Sequence, residues 1–324
     1  MSRSAFKRRG LATLTGAALV LGCAPRLVPH AAPDKAPPLP SWLKPGQAQA
    51  PVGPHELRVS WLGTAGLEVR SARGALVIDP FFSRQPLLTL LGGPLRPDEA
   101  AIARHMAPVD AVLVGHAHYD HFADAPTVAR RAGARLWASP AALRLAAQEG
   151  LPAAQRCALT PHVRFTVADM EVEAVPSQHS PMPTQWLTGG NLVGEPRLPL
   201  GFLSYKNDEV YSFAIRWRGR TVYHCGSANT DEGSVGPIRA DLVFACVSGW
   251  RSCPDVFGRL VRSLRARVLA PFHHDDFFRP FSDGVIENPL AFHDEALRTM
   301  RRDAPEAAIL PLRFFDDHRL EAQR

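Results

Sequence analysis

The stretch that decides the fold is LVGHAHYDHFAD, residues 113–124. In it an apolar run ends in three histidines and an aspartate within six positions: His116, His118, Asp120 and His121. Side chains at positions i and i+2 of a strand share a face, so the first two histidines project together where the predicted strand ends. Imidazoles and a carboxylate are ligands that zinc and related divalent ions prefer. The cluster therefore predicts a metal site at the end of a strand.

Strand-like and helix-like patterns alternate from residue 56 onward, with turn signals between them. They form two halves, each with strands first and helices after. Such a pattern is typical of an α/β fold in which two sheets pack face to face with helices outside. We expect helix N-caps at Asp124 and Ser139, because a proline follows each of them within the first turn.

The N-terminus has the pattern of a targeting segment. A basic run, FKRRG, is followed by the apolar run LATLTGAALVLG and then by Cys23. This resembles a bacterial lipoprotein signal, which implies that residues 1–22 are removed and that Cys23 carries lipid. About 20 apolar residues are needed to cross a bilayer, so the apolar run is too short to span one. We expect an exported protein, held in the bacterial cell envelope by its lipid anchor.

Residues 23–55 are rich in proline and alanine and predict an extended tether ahead of a folded domain at 56–324. The chain has 324 residues, of which 46% are hydrophobic and 21% charged, which suits one large globular domain. Four of its six net positive charges lie in residues 1–22. We therefore expect no nucleic-acid partner, and a small-molecule or lipid substrate instead.

HAHYDH, residues 116–121, resembles the HxHxDH motif of the metallo-β-lactamase-fold hydrolases. The resemblance extends from about residue 57 to about residue 313. It implies a four-layer αβ/βα sandwich and a metal-dependent hydrolase. WLGTAGLEV at 61–69 and LVIDPFF at 76–82 are similar to the branch that contains the ascorbate-phosphate lactonases and the N-acyl-phosphatidylethanolamine phospholipase D enzymes.

The resemblance also implies two ligand sets, which would hold one or two divalent ions, zinc above all. The first set is His116, His118 and His179; the second is Asp120, His121 and His273, with His274 as the alternative if the register differs by one. Asp79 matches the aspartate that supports a metal-binding histidine in this family, although an aspartate before a proline also starts plain turns.

The chain departs from the family at Ser227, which stands where an aspartate usually bridges two metals. A neutral serine is a poor bridging ligand, so the second ion would be weak, absent, or completed by another residue. The candidates are Cys225, His224 and Asp231. Cys225 is equally well explained as a small buried residue at a strand end.

The ligand set predicts hydrolysis, because histidine-bound zinc lowers the pKa of its water to about 7 and makes hydroxide available. Asp120 would orient or deprotonate that water. Ester, lactone and phosphodiester bonds all suit this chemistry. A long segment at 180–213, which contains Trp186, Phe202 and Tyr205, predicts an apolar or amphiphilic substrate such as a lipid or envelope ester.

Two other classes of protein share this fold. A non-catalytic, envelope-anchored binding protein on a degenerate fold is permitted by Ser227. Redox enzymes of this fold are disfavoured, since flavodiiron proteins carry glutamate where His118 stands and mono-iron dioxygenases need the aspartate that Ser227 replaces. In an exported protein Cys246 and Cys253 could also form a disulfide, although spacing alone does not fix the pairing.

Overall fold

Two β-sheets form the centre of the computed structural model, which describes residues 37–47, 50–92, 95–182, 188–192, 194–196, 198 and 200–323. In spatial order, the first sheet contains β1 (Leu43–Pro45), β15 (His318–Glu321), β2 (Glu56–Gly63), β3 (Gly66–Ser71), β4 (Gly74–Ile78), β5 (Ala111–Leu113), β6 (Arg135–Ala138) and β7 (Arg156–Ala158). The second contains β14 (Ala308–Ile309), β13 (Val268–Phe272), β12 (Leu242–Cys246), β11 (Arg220–Cys225), β10 (Tyr211–Trp217), β9 (Met170–Pro176) and β8 (Arg164–Val167).

The helices of the described residues lie between and after these strands. They are α1 (Leu87–Gly92), α2 (Glu99–His105), α3 (Tyr119–Phe122), α4 (Ala125–Ala132), α5 (Pro140–Gln148), α6 (Glu232–Val235), α7 (Val256–Leu264) and α8 (His293–Asp303). Both sheets are mixed: β4 to β7 and β11 to β14 pair in parallel, and the remaining neighbours are antiparallel. The predicted α/β sandwich is confirmed.

Strand β4 shows how the layers are built. Its Leu76 and Ile78 belong to the hydrophobic cluster shared by the two sheets, whereas Val77 belongs to a second cluster that includes residues of α4 and α5. Successive side chains of a strand point to opposite faces, so a strand covered on both faces must be apolar throughout. This explains the continuous apolar runs that end at the metal-binding motif.

The predicted start of the folded domain at residue 56 is too late. Strand β1, inside the stretch 23–55, pairs antiparallel with β15, and Trp42 and Leu43 are buried. The guanidinium of Arg220 lies 4.5 Å from the centroid of the Trp42 ring. The proline-rich composition of this stretch gave no indication of the strand, although Trp42 and Leu43 are apolar. Residues 1–22 and Cys23 lie outside the described residues.

Of the two predicted helix caps, one is confirmed. The Ser139 hydroxyl accepts a hydrogen bond from the Ala142 amide at 3.2 Å. Asp124 precedes α4 but makes no capping bond. Its carboxylate instead accepts hydrogen bonds from the amides of Phe82 and Ser83, at 2.5 and 2.8 Å. These two residues belong to the loop after β4, which packs against the start of α4. Burial raises the pKa of Asp124 to about 6.

The described cysteines are free thiols: Cys157, Cys225, Cys246 and Cys253. The disulfide considered between Cys246 and Cys253 is therefore not formed in the structure. Both side chains are buried, at the end of β12 and after the short helical turn Trp250–Ser252. In the part of the chain that the structure describes, no helix has the length and apolar character needed to cross a bilayer.

Candidate metal centre

The centre is assembled around Asp79, which directly follows β4. Its amide donates to the Leu113 carbonyl at 2.9 Å, and its Oδ1 accepts the Gly115 amide at 2.7 Å. Its Oδ2 accepts a hydrogen bond from His121 Nδ1 at 2.8 Å, because a carboxylate can only accept. Asp79 has a φ of 45°, a conformation that non-glycine residues seldom adopt. Such backbone outliers cluster at functional sites. Asp79 therefore fixes both the loop that carries the motif and one of its histidines.

The first of two ligand groups is a histidine triad. His116, His118 and His179 each offer a ring nitrogen, and these nitrogens lie within 4.8 Å of one another. His118 Nε2 donates to the Thr188 carbonyl at 3.2 Å, and His179 Nδ1 donates to the Ser180 carbonyl at 2.7 Å. In neutral rings these bonds leave His118 Nδ1 and His179 Nε2 without protons. Their lone pairs are thus available to a metal.

The second ligand group is Asp120, His121 and His273, whose ligand atoms also lie within 4.8 Å of one another. His273 Nε2 is 3.2 Å from Asp120 Oδ2 and 3.3 Å from His121 Nε2. Since His121 Nδ1 is occupied by Asp79, its Nε2 is the nitrogen that faces this group. The rings of His116 and His121 are 3.9 Å apart at their centroids, so the two groups adjoin.

The electrostatics of the two groups differ. Burial lowers the pKa of His118 to about 3 and that of His179 to about 4, and it holds the pKa of His116 well below its ordinary value. These imidazoles are therefore neutral, as a metal ligand must be. Burial disfavours the charged forms of His121 and Asp120 in the second group as well. The Asp79 and Asp120 carboxylates nevertheless raise the pKa of His121. His121 and His273 in turn lower the pKa of Asp120.

The donor set suits a divalent ion such as zinc. Three neutral imidazoles in one group, and two imidazoles with a carboxylate in the other, are ligand combinations found in zinc sites. The hydrogen bonds to Asp79, Thr188 and Ser180 orient the rings from behind, as metal-binding histidines require.

Four alternative ligands predicted from the sequence lie outside the two groups. Cys225 belongs to the apolar core between the sheets, where burial raises the pKa of its thiol. His274 stacks on Trp61, with ring centroids 4.9 Å apart. His224 is engaged elsewhere, since its Nε2 donates a hydrogen bond to the Ala65 carbonyl at 2.8 Å. Asp231 caps α6, accepting the Gly233 amide at 3.1 Å.

Ser227 lines the same pocket as residues of both ligand groups, where it positions a neighbouring segment of the chain. Its hydroxyl accepts the Ser180 amide at 2.9 Å, and the Ser180 carbonyl in turn accepts His179 Nδ1. Gly249 approaches this segment so closely that a Cβ there would lie 2.4 Å from Ser180 Oγ. The segment after β9 is thus held from two sides, which orients His179.

A test of this positioning role is the pair Ser227→Ala and Ser227→Asp. Alanine leaves the buried Ser180 amide without its acceptor, which costs about 1–3 kcal/mol of unfolding free energy and loosens His179. We expect metal affinity to fall about ten-fold or more. Aspartate keeps an acceptor at this place and is expected to restore or exceed wild-type affinity. Equal affinities of wild type and Ser227→Ala, measured by competition with a chromophoric chelator, would contradict the role.

The pocket over the two ligand groups has a volume of about 210 Å³ and is largely apolar. Aromatic side chains form much of its wall: Tyr119, Phe202, Tyr205, Phe277 and Phe278. Phe202 and Tyr205 were predicted from the sequence, whereas Trp186 lies outside the described residues. Phe277 and Phe278 were missed, although the signal was present, since they follow the predicted ligand His273 by only four and five positions.

Tyr205 links this pocket to a half-buried carboxyl, because its hydroxyl is hydrogen-bonded to Glu149. Burial and the nearby Asp124 raise the pKa of Glu149 from 4.5 to about 8. The folded protein therefore keeps a proton that the unfolded chain has already released. This contribution to stability is full below about pH 4.5 and is lost as the pH rises toward 8.

We predict that Glu149→Gln removes this pH dependence. Glutamine keeps the size and the contact with Tyr205 but does not ionise. Between pH 6 and pH 9 the wild type should lose about 4 °C or more in Tm relative to the variant. Thermal unfolding across this range measures the difference, and parallel curves for the two proteins would show that Glu149 does not titrate in this way.

The facing sheets and the two adjoining ligand groups at their strand ends define a metal-dependent hydrolase of the metallo-β-lactamase type. The chain belongs to the beta-lactamase superfamily, whose domain model matches residues 75–274. The predicted superfamily is thereby confirmed, whereas the narrower branch of the ascorbate-phosphate lactonases and N-acyl-phosphatidylethanolamine phospholipase D enzymes stays a prediction.

Relatives of known name agree with this class. The chain is 25% identical over 272 residues to a UPF0173 metal-dependent hydrolase of Myxococcus xanthus, covering 82% of this chain and 85% of that protein. It is 30% identical over 241 residues to a UPF0173 metal-dependent hydrolase of Polynucleobacter asymbioticus, covering 70% and 76%. Igni18, a metallo hydrolase from Ignicoccus hospitalis, has the same fold, with a TM-score of 0.55 at 16% identity over 83% of this chain and all of that one.

Proposed function

We propose that this hydrolase cleaves an ester, lactone or phosphodiester bond in an apolar or amphiphilic substrate, with zinc as its metal. The observation that carries the proposal is the position of the two ligand groups, since five of their six residues line one small pocket with an aromatic wall. Pockets of this kind bury the apolar part of a ligand and use a few polar groups to orient it.

A divalent ion bound here supplies Lewis acidity and lowers the pKa of water. The protein supplies the geometry. Asp79 holds the proton on His121 Nδ1, and the Thr188 and Ser180 carbonyls hold the protons of His118 and His179 away from the pocket. Asp120 remains ionised because His121 and His273 lower its pKa. Its carboxylate is thus able to accept a hydrogen bond from a water molecule in the pocket and to orient it.

The wall of the pocket supports the choice of substrate. Phe202, Phe277 and Phe278 offer apolar surface beside the ligand groups, and Leu290 extends it to the exterior, where 70% of that residue is exposed. An acyl chain or another apolar group would lose contact with water on this surface, at about 25 cal/mol per Å² of apolar area buried. The lipoprotein-like N-terminus supports a location in the cell envelope, where lipid esters are present.

The test is metal removal and reconstitution. The purified chain is stripped with a chelator, and hydrolysis of p-nitrophenyl acetate, p-nitrophenyl decanoate and bis-p-nitrophenyl phosphate is measured before and after zinc is returned. We expect stripping to lower hydrolysis by a factor on the order of 100 or more, since a bound ion contributes several kcal/mol to the transition state. The decanoate should have the lower KM of the two esters.

Two outcomes would contradict the proposal. Failure to bind zinc after reconstitution would remove the metal-dependent mechanism and favour a non-catalytic envelope binding protein. Hydrolysis that favours the acetate over the decanoate would leave the metal chemistry intact but overturn the apolar substrate.

A further inference from the structure

A second and larger cavity, of about 760 Å³, lies beside α2. Its walls come from α2, from the loop after β4, from residues 280–285 and from residues 313–315. It shares no lining residue with the pocket over the two ligand groups. Its volume is within the range of about 300–1,000 Å³ that is typical of small-molecule sites.

One wall of this cavity is a packed group of rings. The His105 ring is parallel to that of Phe315, at 4° and with centroids 4.8 Å apart, and it lies 5.0 Å from Phe281. Phe314 adjoins Phe281 at 5.0 Å. Burial, together with Arg104 and Arg84, lowers the pKa of His105, so its imidazole is neutral at pH 7. The rings of this wall are therefore uncharged.

Arg84 is built into this wall and its charge is compensated. Its guanidinium lies 3.9 Å from the centroid of Phe281 and forms a buried ion pair with Asp275. Asp275 also accepts the Thr64 amide at 2.8 Å. It follows the metal-centre residue His273 by two positions, so the cavity wall and the loop that carries His273 are joined by this ion pair.

The rim of the cavity, by contrast, carries an excess of positive charge. Arg104 and Arg313 line it and are exposed, and neither side chain has an ion pair within the described part of the chain. The acidic residue among the described lining residues is Asp98, and its Oδ1 accepts the Ala101 amide at 2.9 Å. An aromatic wall below two unpaired guanidinium groups is complementary to a flat apolar molecule that ends in an anion.

We propose that this cavity is a second binding site, which takes an organic anion with a flat, apolar body. The body stacks against His105, Phe281 and Phe315, since offset stacking suits such rings. The carboxylate, sulfonate or phosphate group pairs with Arg104 and Arg313, whose guanidinium groups match these anions. A ligand here lies next to the loop that carries His273 without entering the metal-site pocket.

The test uses two dyes of nearly the same body. 8-Anilino-1-naphthalenesulfonate carries an anion, and N-phenyl-1-naphthylamine lacks it. Fluorescence titration of the purified chain should show tighter binding of the sulfonate. The double variant Arg104→Gln/Arg313→Gln should weaken the sulfonate about ten-fold and leave the neutral dye unchanged. Arg298→Gln, which removes an exposed arginine of α8, is the matched control and should bind both dyes as the wild type does.

A second pair of variants locates the dye. Ser282 is exposed and lines the cavity, so Ser282→Trp should fill it and abolish sulfonate binding without disturbing the core. Phe278 lines the metal-site pocket, and Phe278→Ala should leave sulfonate binding as it is. The proposal is overturned if Ser282→Trp and the double arginine variant bind the sulfonate as the wild type does, or if Phe278→Ala abolishes that binding.

Discussion

His116→Ala is expected to remove the metal of the histidine triad and to lower hydrolysis by about 10²–10³-fold, since a bound ion contributes several kcal/mol to the transition state. His116 Nε2 lies 3.1 Å from His118 Nδ1, so its loss opens one of three positions around the ion. The fold should persist, because His116 Nδ1 has no hydrogen-bond partner among the described residues and no such bond is lost on that side.

Elemental analysis of metal content and hydrolysis assays on the same samples measure this effect. His55→Ala is the matched control, because His55 is exposed and directly precedes β2. Near two equivalents of metal in the wild type and one in His116→Ala would show that both ligand groups bind an ion. One equivalent in the wild type and none in the variant would indicate a single ion at the histidine triad. Full metal content and activity in His116→Ala would overturn the assignment of this triad.

Asp79→Asn should weaken the second ligand group selectively. Asparagine tolerates the positive φ of this position, and its amide oxygen can still accept the Gly115 amide. Its NH₂ group, however, faces His121 Nδ1 and forces that nitrogen to accept. The proton of the neutral ring moves to Nε2, which faces Asp120 and His273. The lone pair that a metal needs is then lost.

We expect the affinity of the second group to fall about 10–100-fold, the usual effect of losing such a supporting carboxylate. Titration with cobalt(II), followed by its visible absorption, separates the two groups, and the histidine triad should be unaffected. Asp169→Asn is the control, because Asp169 directly precedes β9, at the end of that strand remote from His179. Equal loss at both groups would mean that Asp79 acts on the whole loop and not through the His121 tautomer.

The sequence predicted the parts of this centre that are local. His116, His118, Asp120 and His121 lie within six positions, so strand periodicity alone brings them together. His179 and His273 arrive from other strands, and only the resemblance to a known family selected them. The structure places His273 in the second group and leaves His274 in a stack with Trp61, a choice of one residue that depends on strand register.

Other features had no sequence signal because they depend on distant partners. Asp124 has the position of a helix cap, but the loop after β4 supplies two amides that compete for its carboxylate. From the sequence, Ser227 is a metal ligand that has been lost. The structure shows that its hydroxyl accepts a hydrogen bond from the Ser180 amide. Strand β1 lies in proline-rich sequence and pairs with a strand more than 270 residues away. Neither its composition nor its neighbours in the sequence therefore indicate a strand.

The pairing of β1 with β15 determines when the first sheet can be completed during synthesis. β15 lies between β1 and β2, so a strand made late in synthesis is the neighbour of two made early. Until residues 318–321 leave the ribosome, the edge of β2 has unpaired amides and carbonyls, and such an edge is prone to pair with other chains. Closing so long a loop is also slow. The edge of β2 is therefore covered only after β15 has been synthesised.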